Sequence, residues 1–393
     1  MSETTSLSAI DALQSRIGRL ERLLDISAQL NSTLDFPRLL HTILQSACDL
    51  LDAEVSSLFL LERETGDLVM ALATNLPVEV ARTIRVKPGQ GIAGKVASSG
   101  ETVLVSDVHT DPAFYGKVDS MTNFTTRSIL CVPLRTHAVT FGEAGEQVLD
   151  SHVIGVAQVL NKREGTFTEE DIQLFEAMGS QAAVALETTM LYEAMQTTFT
   201  GVVGAMAAAI DAKDDYTHGH SARVAEFSMS IGRQLGLSRQ QLATLHLSAL
   251  LHDVGKIGVP DSVLNKRDKL TDEEFAIIQR HPAIGFHIME KVPAFQDALR
   301  GMHEHHERPD GRGYPNHLTA EQISLFARII GAADAFDAMT SSRVYRAALP
   351  VEEALRRERE AIGAQFDADA VAALETAYRN GHIIPAGEAT AKA

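Results

Sequence analysis

The sequence predicts two folded domains: an α+β domain with an antiparallel sheet flanked by helices, followed by an all-helical domain. Its 393 residues suit two domains of ordinary size. Strand-like runs separated by Gly, Pro and Asp are confined to residues 52–160, whereas helical periodicity dominates after residue 205. A content of 45% hydrophobic and 22% charged residues is typical of folded proteins rather than disordered or fibrous ones.

The net charge and the cysteine content exclude several classes of function. A formal charge of -17 argues against general binding to nucleic acid or to an anionic membrane, which depends on clustered Lys and Arg. With only Cys48 and Cys131, no disulfide framework is expected. The first residues lack a secretory signal, and no segment reaches the about 18 apolar residues of a spanning helix. We therefore expect a cytoplasmic protein without nucleic-acid or membrane partners.

An amphipathic helix is predicted near the N-terminus. Between residues 7 and 34, apolar residues recur at spacings of three and four, as expected for one helical stripe: Ile10, Leu13, Ile17, Leu20 and Leu24. The stripe has two interpretations. It packs on its own domain, or it forms a parallel coiled-coil seam between two copies of the chain. We treat residues 1–24 as this N-terminal helix.

The first domain is predicted to hold a sheet with helices packed against it. Helical patterns occur at residues 36–51 and from residue 169 onward, and residues 135–151 resemble a polar hairpin insertion. Strand patterns occur at residues 55–61, 68–73, 102–106, 128–134 and 153–160.

Several motifs in this region resemble those of GAF domains. They are Lys-Pro-Gly-Gln-Gly-Ile-Ala-Gly-Lys-Val from Lys87, Val-Ser-Asp-Val from Val105, Asp-Pro-Ala-Phe-Tyr from Asp111, and Asn161-Lys162 followed by Phe167 and Asp171. The resemblance covers residues 25–191 and implies a sensor domain for a small ligand. The last motif partly matches cyclic-nucleotide-binding GAF domains, but Ile172 stands where that pattern has Glu. A cyclic nucleotide is therefore one candidate among unknown ligands.

A long helix is predicted to join the two domains. Thr168 followed by two Glu residues and Asp171 forms a good helix start, because a hydroxyl caps free amides and acids suit the positive end of the dipole. The helical pattern continues past Tyr192, and residues 192–213 form the connecting part. Gly201 and Gly204 are its weak points, so two separate helices are the alternative.

The second domain, residues 214–385, is predicted to be all-helical. The final residues, 386–393, form a small polar tail. Helical patterns occur at residues 221–235, 238–251, 271–279, 283–291, 323–339 and 351–362.

Histidines and carboxylates concentrate in this second domain and indicate a metal site. Ten of the fifteen histidines fall between His218 and His317. An apolar helix runs directly into His252-Asp253, and burial of these groups would cost several kcal/mol unless they were paired or bound a metal. Other clusters contain His220, His281, His305-His306 and Asp334. Ligands without thiolates suit iron or manganese at a catalytic site better than a structural zinc.

The same region resembles the HD-GYP subgroup of HD phosphohydrolases over residues 195–384. The signature is His252-Asp253 with Gly313-Tyr314-Pro315, and the segments 255–260, 305–315 and 340–346 also match. The resemblance implies a cyclic di-GMP phosphodiesterase in which two divalent ions, Fe or Mn, share a carboxylate, Asp253, and a bridging hydroxide. The implied metal ligands are His220, His252, Asp253, His281, His305, His306 and Asp334.

A third metal is not expected. Some family members hold one with a Glu four residues before the first ligand His, where this chain has Tyr216. A phenol with a reference pKa near 10 is a poor substitute for a bridging carboxylate.

The resemblance also implies residues that hold the substrate. Lys256 is similar to the family lysine near the scissile phosphate, with a plain surface lysine as the alternative. Tyr314 lies in a rigid Gly-rich turn and would stack on a base or orient other groups, unless the loop is purely structural. Arg343 and Arg346 align with residues that contact phosphates, and the second is often Lys in the family.

Three functions remain open at this stage. The first is hydrolysis of cyclic di-GMP to linear pGpG, regulated by the GAF domain, with a further step to GMP left open. The second is hydrolysis of another nucleotide, such as a different cyclic dinucleotide. The third is a receptor or interaction module with little turnover that binds cyclic di-GMP or other cyclic di-GMP signalling proteins. In each case a parallel homodimer is expected, in which ligand binding shifts the register or rotation of the connecting helix.

Overall fold

The computed structural model describes residues 17–112, 114, 119, 124–141, 147–214, 219–342 and 347–385. They divide into two compact units, which meet in the sequence between Gln196 and Thr197. No helix within these described ranges has the length and apolar content that crossing a membrane requires.

The first unit contains an antiparallel sheet of six strands in the order β3-β2-β1-β6-β5-β4. Its strands are β1 (Ala53–Leu61), β2 (Leu68–Ala73), β3 (Arg85–Val86), β4 (Val103–Val105), β5 (Ile129–Phe141) and β6 (Gln147–Lys162). Its helices are α1 (17–30), α2 (Phe36–Leu51), α3 (Val78–Ala81), α4 (Gly91–Ser99) and the start of α5 (Glu169–Lys213), with a 3-10 turn at Val108–Thr110. The predicted α+β architecture is confirmed.

Successive strand residues point to opposite faces of the sheet, and both faces carry apolar side chains. Helices cover each face. On one face, α2 and α5 bury Ile43 and Phe175 against Leu58 and Leu130. On the other face, the neighbouring residue Phe59 packs with residues of α3 and α4. The two-residue strand β3 was not predicted, since two residues carry no periodicity.

The segment predicted as a hairpin insertion extends two neighbouring strands of the sheet, β5 and β6. Strands β5 and β6 pair from Arg135 opposite Val153 out to Phe141 opposite Gln147. The pairing shifts register between Leu134 and Arg135, which is where the hairpin leaves the body of the sheet.

The apolar residues of helix α1 are divided between core and solvent. Leu30 is buried and Leu23 packs against the core, whereas Ile17, Leu20 and Leu24 are 54%, 54% and 70% exposed. The stripe residues that the structure describes are therefore largely exposed, although Leu20 also lines a pocket with Leu174 and Ala177 of α5. Ile10 and Leu13 lie outside the described residues.

The Asn-Lys motif links the end of β6 to the start of α5. Asn161 is buried; its carbonyl accepts from the Arg127 backbone N–H at 2.7 Å, and its amide donates to Glu54 at 3.0 Å. Lys162 donates to Asp171 at 2.5 Å, and the same carboxylate accepts from the backbone N–H of Thr168 at 2.7 Å. These polar groups are engaged within the fold, which supports a structural role for the motif.

Helix α5 is one continuous helix of 45 residues, Glu169–Lys213. The alternative of two separate helices is therefore wrong. Gly201 and Gly204 do not break it, and a Cβ added at either position would meet nothing within 4 Å.

The second unit is helical in all its described elements except isolated bridges. After the end of α5 come α6 (His220–Gln234), α7 (Arg239–Leu250), α8 (Asp261–Leu264), α9 (Asp272–Ile278), α10 (His281–Met289), α11 (Leu299–Glu304), α12 (Leu325–Thr340), α13 (Val351–Glu360) and α14 (Ala368–Arg379). Two 3-10 segments lie at Val254–Gly258 and Pro293–Phe295. The predicted all-helical domain is confirmed.

Helix α6 is central to this unit and packs against α7, α12 and α14. The rings of Phe227 and Phe336 meet edge-on at 5.9 Å in the core, beside Val224 and Leu245. Helices α8, α11 and α14 were not predicted. The start of α14 did carry a signal, since Asp367 caps it by accepting from the backbone N–H groups of Asp369 and Ala370.

Candidate metal centre

Ends of helices bring a cluster of imidazoles and carboxylates together in the second unit. Most of these side chains sit at the first residue of a helix or just after its last one, where backbone groups need outside partners. His220 and His281 open α6 and α10, His252 and Asp253 follow α7, His305 and His306 follow α11, and Asp334 lies within α12.

Three imidazoles are held in the same way by a backbone carbonyl three residues earlier. A carbonyl only accepts, so each Nδ1 must carry a proton, and in the neutral ring each Nε2 then presents a lone pair. The Nδ1 distances are 2.7 Å from His252 to Ala249 O, 2.8 Å from His281 to Ile278 O, and 2.6 Å from His305 to Met302 O.

The free Nε2 atoms converge on Asp253. Its Oδ1 lies 3.2 Å from Nε2 of His281, and its Oδ2 lies 3.3 Å from Nε2 of His252. The Nε2 atoms of His281 and His305 are 3.4 Å apart. Asp253, His281, His305 and His306 form one group with ligand atoms within 4.8 Å of one another, and His220, His252 and Asp253 form a second.

This arrangement fits divalent metal ions. The Nε2 atom of His252 is buried and makes no hydrogen bond within the described part of the chain. Two Nε2 lone pairs that face each other at 3.4 Å repel unless a cation or a proton lies between them. Neutral imidazoles and a shared carboxylate are ligands that iron, manganese and zinc accept. Asp253 is common to both groups, so it could bridge two ions.

His220 is oriented by a buried carboxylate on α12. Its Nδ1 lies 2.7 Å from Asp337, while its Nε2 lies 3.2 Å from Asp334 and 4.0 Å from Asp253. Arg223 donates to both oxygens of Asp337, at 2.6 and 3.0 Å. Burial alone would lower the pKa of His220. The bonds to Asp334 and Asp337 outweigh burial and, without a metal, raise the pKa to about 10.

Lys256 is held at the edge of the cluster by two carboxylates. Its Nζ lies 2.8 Å from Asp253 and 2.8 Å from Asp214. Burial opposes its charge, yet Asp253 and Asp214 together raise the pKa of the ammonium above its ordinary value. Lys256 is therefore a permanent cation beside the candidate metal site and not a surface lysine.

His306 and Tyr314 form the other wall of the cluster. Their ring centroids are 4.8 Å apart, and His306 lies 4.1 Å from the ring of His305. Burial, with the neighbouring His281, lowers the pKa of His306 to about 3, so the ring is neutral as a metal ligand must be.

The Gly-Tyr-Pro loop is fixed by close backbone contacts. A Cβ at Gly313 would lie 2.4 Å from the Cα of Glu307, so only glycine fits there. The buried Glu307 carboxylate accepts from the backbone N–H groups of Asn316 at 2.6 Å and Leu318 at 2.9 Å. These bonds hold Tyr314 against the imidazoles.

A cavity of about 300 Å³ adjoins this wall. His306, Tyr314 and Asp334 line it on the cluster side. Arg308 and Arg328 also line it, paired with Asp310 at 2.6 Å and with Asp367 at 2.9 Å. Its size is at the lower end of the range for ligand sites.

All seven candidate metal ligands lie in this cluster, with Lys256 and Tyr314 beside them. Arg343, Arg346 and Tyr216 lie outside the described residues. The sequence interpretation missed the partners Asp337, Arg223 and Asp214. A signal existed for Asp337, because it follows Asp334 by one helical turn and shares its face of α12.

The fold and the cluster define a two-domain chain whose helical domain carries a candidate metal centre. Residues 35–186 match the GAF domain family, and residues 204–370 match the HD domain family. The chain therefore consists of a GAF domain followed by an HD domain, as the motifs indicated.

Curated relatives are similar mainly through the second half of the chain. The chain is 42% identical over 176 residues to the 3'3'-cGAMP-specific phosphodiesterase 3 of Vibrio cholerae, covering 45% of this chain and 38% of that protein. It is 39% identical over 164 residues to a cyclic di-GMP phosphodiesterase of Thermotoga maritima, covering 41% and 45%. A cyclic di-GMP phosphodiesterase of Vibrio cholerae is 30% identical over 299 residues, covering 69% and 60%. Each match spans less than two thirds of the relative's length.

Proposed function

We propose that this chain is a metal-dependent phosphodiesterase that opens the ring of cyclic di-GMP to give pGpG, under control of its GAF domain; a further step to GMP stays open. The observation that carries the proposal is the convergence of anchored Nε2 atoms on the shared carboxylate of Asp253. The names of the curated relatives support the substrate class.

Each side chain of the cluster has a role in this reaction. The seven ligands would hold two divalent ions, which would supply an activated water and neutralise phosphate charge. The ammonium of Lys256 would stabilise negative charge on the phosphate or the leaving oxygen. Tyr314 would contact a base at the mouth of the cavity beside His306. No side-chain nucleophile is required.

The substrate has a second candidate, 3'3'-cGAMP. The relative with 42% identity is named for this dinucleotide, while the one with 39% identity is named for cyclic di-GMP. The two substrates differ in one base, so the metal centre treats their phosphates alike and the base contacts decide.

The test is turnover by the purified full chain with Mn²⁺ or Fe²⁺. Cyclic di-GMP, 3'3'-cGAMP and 3',5'-cyclic GMP are supplied separately, and products are separated by chromatography. We expect pGpG from cyclic di-GMP, and no turnover by the His252→Ala, Asp253→Ala double variant. Preference for 3'3'-cGAMP would support the second candidate. Tight binding of cyclic di-GMP without product would identify a receptor.

The same preparation decides the number of metals. We expect two tightly held ions per chain, because Tyr216 offers no carboxylate for a third. Metal analysis of protein purified without added metal measures this directly, and three retained ions would contradict it.

Arg343 and Arg346 are proposed to bind the substrate phosphates. Arg343→Ala should raise the Michaelis constant, since it removes a planar pair of donors matched to phosphate oxygens. Arg356→Ala, which removes an exposed ion pair with Glu353 on α13, is the control and should leave it unchanged. Unchanged affinity in Arg343→Ala would remove the assignment.

The GAF domain, with proposed limits 25–191, would bind a small regulatory ligand, and the HD-GYP domain, 214–385, would carry catalysis.

A parallel homodimer is proposed for the signalling state. Exposed apolar residues on α5, Val184, Leu191 and Met195 at 53%, 60% and 60%, add to those on α1 and suit a helical seam. Light scattering should give a dimer at micromolar concentration, and the Leu191→Glu, Met195→Glu variant should give a monomer.

A further inference from the structure

The last residue of α5 holds the segment that carries Lys256. Lys213 Nζ lies 3.1 Å from the carbonyl of Lys256, 2.8 Å from that of Ile257 and 2.8 Å from that of Val259. An ammonium has three donors, so all its bonding capacity is directed at one short stretch of backbone. A lysine with only a solubilising role would not be arranged in this way.

The contact is made from both sides. The side-chain amide of Asn265 donates to the carbonyl of Lys213 at 3.1 Å, which provides a partner for a carbonyl at the end of α5. The carbonyls of Lys256, Ile257 and Val259 lie at or just after the end of the 3-10 segment Val254–Gly258, and that of Lys256 also accepts from the backbone N–H of Val259 at 3.0 Å. The end of α5 and residues 256–265 therefore exchange hydrogen bonds: Lys213 donates to carbonyls of this segment, and Asn265 donates to the carbonyl of Lys213.

Two consecutive residues hold opposite ends of Lys256. Lys213 binds its backbone carbonyl, and Asp214 binds its ammonium at 2.8 Å. The backbone N–H of Lys256 also donates to the carbonyl of Asp253 at 2.9 Å. A shift of the segment would move the ammonium relative to the candidate metal centre.

We infer that Lys213 is a positioning residue for the proposed reaction: by binding three carbonyls of residues 256–259, it fixes the ammonium of Lys256 beside the metal centre. The expected effect on kcat rests on the proposed function. The claim that Lys213 anchors residues 256–259 depends only on the three carbonyl contacts.

The test compares Lys213→Met with Lys213→Arg and a matched control. Lys213→Met keeps the length and removes the donors, so kcat should fall about 10- to 100-fold with little change in KM and two metals retained. Lys213→Arg keeps donors and charge and should restore most of kcat. The control is Asp261→Asn, which removes the exposed carboxylate 3.5 Å from Lys213 but leaves the carbonyl bonds, and it should match the wild type.

Hydrogen exchange of the peptide covering residues 254–265 separates this inference from the proposed function. Exchange should be faster in Lys213→Met than in the wild type and in Asp261→Asn. Unchanged exchange, or unchanged kcat in an active enzyme, would overturn the inference. If the wild type hydrolyses no cyclic dinucleotide, the proposed function is wrong, and the exchange data still decide whether Lys213 anchors the segment. Lys213→Gln, which keeps a donor, is measured in parallel should Lys213→Met fail to fold.

Discussion

Asp337 contacts no candidate substrate group, yet it fixes the orientation of the His220 ring. Its carboxylate accepts the Nδ1–H of His220 at 2.7 Å and is itself held by Arg223. A carboxylate behind a ligand imidazole fixes the tautomer and increases the electron density on Nε2. The geometry of the proposed metal site would therefore depend on a residue one helical turn away from the candidate ligand Asp334.

Asp337→Asn should weaken metal binding about 10- to 100-fold, because the amide keeps the shape but loses the charge that polarises His220. Titration calorimetry with Mn²⁺ measures the change. Glu290→Gln is the matched control, since Glu290 contacts Nδ1 of the exposed His287 at 3.3 Å, away from the cluster. Equal Mn²⁺ affinity in Asp337→Asn and the wild type would show that His220 does not need its carboxylate partner.

At the scale of elements, the 3-10 segment after α7 packs unusually close to α10. A Cβ at Gly255 would lie 1.8 Å from the carbonyl of His281 and 2.5 Å from the backbone N of Gly285. This contact sets the distance between Asp253, just before Gly255, and the imidazole of His281.

Gly255→Ala should destabilise the HD domain by at least about 2 kcal/mol, since overpacking against backbone forces the two elements apart. Urea denaturation followed by circular dichroism measures the loss, and Mn²⁺ affinity should fall with it. Wild-type stability in Gly255→Ala would mean that the 3-10 segment and α10 can move apart without a cost in folding free energy.

The opposite result is expected for a glycine in the long helix. Gly201 has open space around its Cα, so Gly201→Ala should stabilise α5 by about 0.5–1 kcal/mol through the lower entropy of the unfolded chain. Thermal denaturation of the same protein detects the shift. A loss of stability would indicate that the helix needs a flexible point there.

Elements with strong local signals were predictable, and those set by tertiary contacts were not. Helix α7 begins with a capping box at Ser238 and Gln241, and β1 ends in the apolar run Leu58–Leu61, so both patterns were visible. Strand β3 exists only because Arg85 and Val86 pair with β2. The exposure of Leu24 likewise depends on packing and not on the helical pattern.

The candidate site was predictable as a set of side chains but not as a geometry. His252-Asp253 stands out as a polar pair after an apolar helix, and His305-His306 stands out as two adjacent imidazoles. The carbonyl anchors cannot be read from the sequence, because any residue supplies a carbonyl and only the turn of the backbone directs it at Nδ1. The carbonyl-binding role of Lys213 is hidden for the same reason.

At the scale of the whole molecule, the acidic composition makes the response of stability to pH a sum of many titrations. Glu358 is distinct among the described carboxylates of the helical core. It is fully buried on α13, and neither of its oxygens has a hydrogen-bond partner in the part of the chain described. Burial, with the nearby Glu375, raises the pKa of Glu358 well above its ordinary value of 4.5.

Replacement of this residue isolates its contribution, because all other titrations cancel when variant and wild type are compared at each pH. Below about pH 4.5 the acid is protonated in the folded and unfolded chains alike, so it adds no pH-dependent term. As pH rises from there to the raised folded pKa, only the unfolded chain releases the proton, and stability falls by about 1.4 kcal/mol per pH unit. Glu358→Gln should therefore gain stability relative to the wild type between pH 5 and pH 8, measured by urea denaturation in EDTA.

Glu353→Gln on the same helix removes an exposed carboxylate whose pKa Arg356 lowers to about 2, so it should show no such gain. A stability difference between Glu358→Gln and the wild type that stays constant over this range would mean that the buried acid ionises normally.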